Sequence, residues 1–177
     1  MTDGYTVWLT GLSGAGKTTI GHALARELEA RGATVEVLDG DVVRTHLSKG
    51  LGFSREDRDT NIERIGWVAS RLTRLGGAVV VCAISPYDRA RKHARALVEP
   101  HGTFIEVWVK ADVEECARRD VKGLYAKAFA GEITQFTGVD DPYEPPIDAE
   151  VIAETETATP RESVALVLAE LERRGLA

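Results

Sequence analysis

Residues 11–18 read Gly-Leu-Ser-Gly-Ala-Gly-Lys-Thr, a full match to G-x-x-x-x-G-K-[ST]. Glycines let successive backbone N–H groups turn inward around phosphate oxygens. A helix opening near Lys17 points its positive end at the same anion. Lys17 can reach the β- and γ-phosphates of a nucleotide, and Thr18 offers a hydroxyl to Mg2+. Gly11, Leu12, Ser13, Gly14, Ala15, Gly16, Lys17, Thr18 and Thr19 are therefore the candidate phosphate loop for a nucleoside triphosphate with Mg2+.

Other residues decide what becomes of the γ-phosphate. A GTP switch would carry a guanine-reading Asn-Lys-x-Asp, which the sequence lacks. Asp120-Val121-Lys122-Gly123 fits a loose D-x-x-G switch pattern, but it comes too late, after a helix. A motor-type ATPase would end its third strand in an acid; here 78–84 are apolar and run into Ser85-Pro86. The acids follow the second strand instead, as Asp39-Gly40-Asp41. At the carboxyl edge of a sheet, either could act on Mg2+ or accept a proton from an attacking hydroxyl. Asp41 also suits the N-cap of a short helix over 42–47, a role that can coexist with catalysis.

That pattern favours a small-molecule kinase, which needs an acceptor site. Residues 50–66 offer Phe53, Arg55, Arg58, Asn61 and Arg64. Arginines can clamp an anionic acceptor and an aromatic ring can stack on a base. Arg55, Glu56 and Asp57 read better as a solvated helix start, and the basic run over 89–95 as a solvated helix face.

These groups need a scaffold, and the chain alternates strand and helix. Short apolar runs rich in Val and Ile predict strands over 5–10, 34–38, 78–84 and 103–109, with a weaker one near 150–153. Helical spacing predicts helices over 17–31, 61–76, 89–99, 113–119 and 161–174. Alternation of this kind implies a parallel sheet with helices on both faces and ligands at the carboxyl ends of the strands. Residues 122–146, with three glycines and three prolines, break the pattern and read as a substrate-covering lid.

At 177 residues and 44% apolar, the chain suits one domain over 1–177 with a real core. A net charge of −6 argues against sequence-independent nucleic-acid binding. No apolar run is long enough to span a bilayer, and the start (Met-Thr-Asp-Gly) is no signal peptide, so no membrane partner and a cytoplasmic setting are expected. Cys82 and Cys116 lie in apolar surroundings and read as buried, reduced thiols.

Taken in order, "GLSGAGKTT" (11–19), "LDGDVVR" (38–44), "LGFSREDRDTNIERIG" (51–66), "ISPY" (84–87), "RDVKGLYAKA" (119–128) and "FTGVDDPYEPP" (136–146) resemble the adenylyl-sulfate kinase (APS kinase) family. The phosphate loop is common to many kinases, whereas the third, fifth and sixth stretches are specific to this family. The resemblance implies a P-loop NTPase fold, three-layer α/β/α with a mostly parallel five-stranded sheet and a lid. It implies ATP as donor, Mg2+, and adenosine 5′-phosphosulfate (APS) as acceptor. The ribose 3′-hydroxyl would attack the γ-phosphate, giving ADP and 3′-phosphoadenosine 5′-phosphosulfate (PAPS).

By the same resemblance, Asp41 accepts or orients the hydroxyl proton and helps place Mg2+ beside Thr18, while Lys17 neutralises the transferring group. Arg44, Arg58 and Asn61 hold the phosphosulfate and ribose, and Asp39 joins the substrate-binding set. Phe53 and Phe136 sandwich the adenine; Ile84, Lys122 and Leu124 complete its pocket. Ser85 matches a serine described in the family as a phosphoserine intermediate. Direct in-line transfer needs only positioning and charge stabilisation, and the local sequence dedicates no base to Ser85, so direct transfer is the expected route. A homodimer and a partnership with ATP sulfurylase both remain open. Family members often carry a further segment before the first strand, which here begins at about Tyr5. They also often carry a bulkier residue where Cys82-Ala83 precede "ISPY". The tail after Pro146 matches only loosely.

Overall fold

Every residue of β1 (Tyr5–Thr10) and β3 (Ala78–Cys82) is buried, as apolar runs without alternation require of strands covered on both faces. With β2 (Val35–Asp39), β4 (Thr103–Lys110) and β5 (Val151–Glu154) they form one sheet in the order β2-β3-β1-β4-β5. Every pairing is parallel, so the sheet is wholly rather than mostly parallel. The computed structural model describes residues 4–177; the opening tripeptide, on which the signal-peptide reading partly rests, lies outside them.

Alternation along the strands divides the core in two. Val7, Leu9, Val80, Ile105 and Val107 face α1 (Lys17–Ala30) and α7 (Pro160–Arg173), through Ile20, Leu24, Val167 and Leu171. Trp8, Val79, Val81 and Phe104 face α3 (Arg55–Arg74) and α4 (Asp88–Val98), through Ile62, Ile65, Ala90 and Ala94. Both cysteines are buried and unpaired with each other; burial pushes the Cys82 thiol up to about 12. Strand order reverses around β1, and the carboxyl ends of β1, β2 and β3 open on one edge, the place where such sheets bind ligands. Among the described residues no helix is long and apolar enough to cross a membrane.

Three local expectations change. The short helix after the second strand is α2 (Gly40–His46), and Asp39, not Asp41, caps it by accepting the Asp41 N–H at 3.0 Å. The helix expected from 61 begins at Arg55, where Ser54 accepts the Asp57 N–H at 3.1 Å and two acids sit in the first turn. The segment expected as a lid is not structureless: beyond α5 (Val113–Arg119) it holds α6 (Leu124–Phe129).

The basic run over 89–95 is only partly a solvated face. Arg91 is 2% exposed. It donates to the carbonyls of Ser85 and Glu144, both at 2.8 Å. Its Nε lies 2.7 Å from Glu106 Oε1, an ion pair without the alignment of a hydrogen bond. Arg95 holds Glu150 through two contacts of 2.8 Å. Burial pushes the Glu106 carboxyl up against the pull of these arginines. Arg91→Met would leave that carboxyl with only the more distant Arg95, at 3.8 Å. Breaking a buried pair in this way should cost about 3 kcal/mol in urea unfolding. Arg91→Met/Glu106→Leu should recover much of that loss.

Candidate active site

Gly14 (φ 77°) and Gly16 (φ 109°) turn the backbone of the phosphate loop through a region side-chain-bearing residues rarely adopt. Gly16 then begins α1 with no side-chain cap, so the first N–H groups of the helix remain for an anion. Lys17 is buried and donates to the carbonyls of Gly11 at 2.8 Å and Leu12 at 2.7 Å. Burial pulls its ammonium down to about 8. The loop thus holds a poorly solvated cation next to unsatisfied donors.

Thr18 Oγ1 donates to Asp39 Oδ2 at 2.8 Å. Of the two acids after β2, Asp39 stands against the phosphate loop. The Asp41 carboxylate instead receives the Lys122 ammonium of the lid in an ion pair between mostly exposed side chains. The hydroxyl of Thr18 and the carboxylate of Asp39 are hard oxygen donors side by side. They fit Mg2+, which takes one or two protein oxygens and leaves its other positions to water and phosphate.

A cavity of about 830 Å3 runs from residues 13–19 of the loop past Asp39 and Asp41 to the candidate acceptor residues and the segment 119–137. Its wall contains Arg44, Phe53, Arg58, Asn61, Ile84, Ser85, Lys122, Leu124 and Phe136. The sequence candidates are therefore brought together, except Gly11 and Leu12, whose part is to supply carbonyls to Lys17, and Arg55 and Arg64, which lie outside the cavity wall, over the Tyr87 ring and on the Leu47 carbonyl. Leu12 lines a separate cleft with Trp108 and Val113.

Within the cavity, the Arg44 guanidinium lies 4.5 Å from the Phe53 ring centroid. Arg58 is buried, donates to the Phe53 carbonyl at 2.9 Å and to the Gln135 carbonyl of the lid, and lies 3.9 Å from Asp141. Asn61 is buried and its Oδ1 has no partner. Phe136 meets Tyr125 edge-on, with centroids 4.9 Å apart and planes at 77°.

Backbone strain concentrates on the same wall. Among the described residues, Ser85 (φ 42°), Asp120 (φ 22°) and Gln135 (φ 57°) are the non-glycines at positive φ, and all three line the cavity. Such conformations cost on the order of 1–3 kcal/mol each and collect at ligand sites. Each is held: Arg91 and Thr10 donate to the Ser85 carbonyl. The Asp120 carboxylate accepts the N–H groups of Tyr125 and Ala126, which hold that carboxyl below its usual range. The Gln135 N–H donates to Asp140 at 2.7 Å. Ser85 is 1% exposed, and its hydroxyl accepts from Trp8 Nε1 at 3.0 Å and donates to the Ala83 carbonyl at 3.1 Å.

Some lining residues were not among the sequence candidates. Arg119 and Thr155 bond each other and the Ala15 carbonyl, closing the end of the cavity beside the loop, with Ala158 and Pro160 next to them. Arg119 and Tyr125 lie inside a stretch already singled out, "RDVKGLYAKA". Thr155 and Pro160 lie in the loosely matching tail, where no motif signals them.

A family model described as adenylylsulphate kinase matches residues 3–154. The adenylyl-sulfate kinase of Rippkaea orientalis is 58% identical over 173 residues, 98% of this chain and 94% of that protein. The adenylyl-sulfate kinase of Picosynechococcus sp. is 57% identical over 172 residues, 97% of this chain and 96% of that protein. Among solved structures, the APS kinase of Mycobacterium tuberculosis in complex with AMPPNP and APS superposes with a TM-score of 0.94 at 42% identity. That match covers 97% of this chain and 99% of the other.

Proposed function

The chain belongs to the adenylylsulphate kinase family, and from that premise we propose how its own residues perform the family's phosphoryl transfer. It phosphorylates the ribose 3′-hydroxyl of APS with ATP, giving PAPS and ADP, a step of sulfate assimilation. The observation that carries the assignment of residues is the single cavity joining the phosphate loop to the Arg44, Phe53, Arg58, Asn61 and Phe136 wall.

The donor phosphates lie on the N–H groups of residues 13–19, with Lys17 released from its carbonyls onto the γ-phosphate. Thr18 and Asp39 would hold Mg2+, which would supply positive charge to the donor phosphates. The acceptor adenine occupies the space between Phe53 and Phe136, displacing Arg44 from the Phe53 face toward the phosphosulfate. Arg58 is already fixed by two carbonyls and an acid, so it presents its charge at little further entropic cost. The unpartnered Asn61 Oδ1 accepts from a ribose hydroxyl. Asp41 then takes the 3′-hydroxyl proton once Lys122 turns to the anionic acceptor.

Ser85 is a wall residue in this reading. Both hydrogen-bonding directions of its hydroxyl are engaged by Trp8 and Ala83, so transfer is direct. Ser85→Ala should leave kcat within a few-fold and cost about 1–3 kcal/mol of stability by stranding the Trp8 N–H. Acid-quenched wild-type enzyme should hold no phosphoserine. A phosphorylated Ser85 that passes its phosphate on at the turnover rate would sink direct transfer.

The test of the function as a whole is ADP release with and without APS. Turnover should require APS. Comparable turnover with another nucleoside or a sugar would overturn the acceptor assignment. A single domain, a cytoplasmic setting, a homodimer and association with ATP sulfurylase belong to the same proposal. The last two are read out by sedimentation alone and with the sulfurylase.

A further inference from the structure

The two halves of the cavity are built on different elements, and in-line transfer requires them to keep a fixed separation; a misplacement of about 1 Å can cost 100-fold. Tyr125 touches both halves. It is 2% exposed, and its hydroxyl donates to the Ser13 carbonyl of the phosphate loop at 2.9 Å. The loop's N–H groups serve the phosphates, so this carbonyl is free to hold the lid. The other end of the contact is the ring, which packs edge-on against Phe136 at 4.9 Å. The Phe136 backbone is tied into its own turn, by Asp140 at its N–H and by the N–H groups of Val139 and Asp140 at its carbonyl. Its ring is braced by Tyr125. The start of α6 is in turn set by the Asp120 carboxylate, which accepts the Tyr125 N–H at 3.0 Å.

We infer that Tyr125 is a positioning residue that registers the acceptor's aromatic platform to the phosphate loop: hydroxyl on Ser13, ring on Phe136. This rests on the reading of Phe136 as a wall of the acceptor adenine site. Tyr125 touches neither reacting atom; it acts through the two residues it holds apart.

Tyr125→Phe removes one oxygen and keeps the ring. It should lower kcat about tenfold, with the KM for ATP within about twofold and a melting temperature close to wild type. Tyr125→Met, which also removes the ring, should add a rise of about fivefold in the KM for APS. Read on its folded fraction, this second variant decides the matter if the first does not accumulate. A merely structural role would lower the melting temperature and leave kcat and both KM values of the folded enzyme unchanged, and that result overturns the inference. Phe136→Ala separates the premise from the inference. An unchanged KM for APS there removes the adenine-platform reading itself. A raised KM for APS with kinetically silent Tyr125 variants removes only the role of Tyr125.

Discussion

Lys17→Met should lower kcat/KM for ATP by about 100- to 1,000-fold, the loss expected when one preorganised donor to a developing oxyanion is removed. The apo protein should melt at nearly its usual temperature. In the free protein the ammonium is bonded to two carbonyls of its own loop and is destabilised by burial. Methionine forfeits those bonds but also the desolvation cost, and the two offset. The pH dependence has a definite sign. With the folded group titrating at about 8, the free enzyme loses this charge as pH rises through 8, and kcat/KM for ATP should fall there. At saturating ATP the phosphates hold the proton on Lys17, so kcat should fall only at higher pH. Stability should move oppositely. Between about 8 and 10.5 the unfolded lysine still binds a proton that the folded one has released, so the contribution of this residue to stability rises with pH. A flat kcat/KM profile between pH 7 and 9, or near-normal activity in Lys17→Met, would remove Lys17 from the reaction.

The phosphate loop was legible in the sequence because its chemistry is contiguous: glycines, lysine and threonine act within one turn of chain. That Arg44, Phe53, Arg58, Asn61 and Phe136 share one cavity wall was legible for another reason, since most of their stretches carry family-specific wording. Arg91 was not. Its run resembles a solvated face because Arg89, Lys92 and His93 are indeed exposed; what buries Arg91 is Glu106, on a strand beyond the end of α4. Asp39 and Asp41 show a finer failure. Two acids two positions apart compete for one cap, and helix starts are uncertain by that margin. Only the fold shows that Asp39 takes both the cap and Thr18. That division of labour releases the Asp41 side chain into the cavity, which the sequence left as two coexisting roles. Thr155 reaches the Ala15 carbonyl from the far end of the chain. It sits just past β5, at an edge whose position depends on sheet order, and short-range pattern does not specify that order.

Asp41→Asn should lower kcat by about 100- to 10,000-fold, the range a positioned general base contributes, while ADP binds within a few-fold of wild type. The substitution keeps the shape of the side chain and the N–H that Asp39 caps, so α2 should start where it does now. On the proposed mechanism, what is lost is the acceptor for the 3′-hydroxyl proton. Weakened metal binding or a broken ion pair with Lys122 could also silence the variant, and each has its own signature. If the loss came from metal binding, raising Mg2+ should restore turnover. It should not, because the Thr18 contact belongs to Asp39; Asp39→Asn is the variant whose activity should recover at high Mg2+. If the loss came from the ion pair with Lys122, then Lys122→Met should reproduce it. That pair joins side chains 72% and 54% exposed, and exposed pairs of this kind stabilise little. Lys122→Met should therefore mainly raise the KM for APS and leave far more of kcat than Asp41→Asn does. Turnover within tenfold of wild type in Asp41→Asn would mean that the hydroxyl proton leaves by another route, and the base would have to be sought elsewhere in the cavity wall.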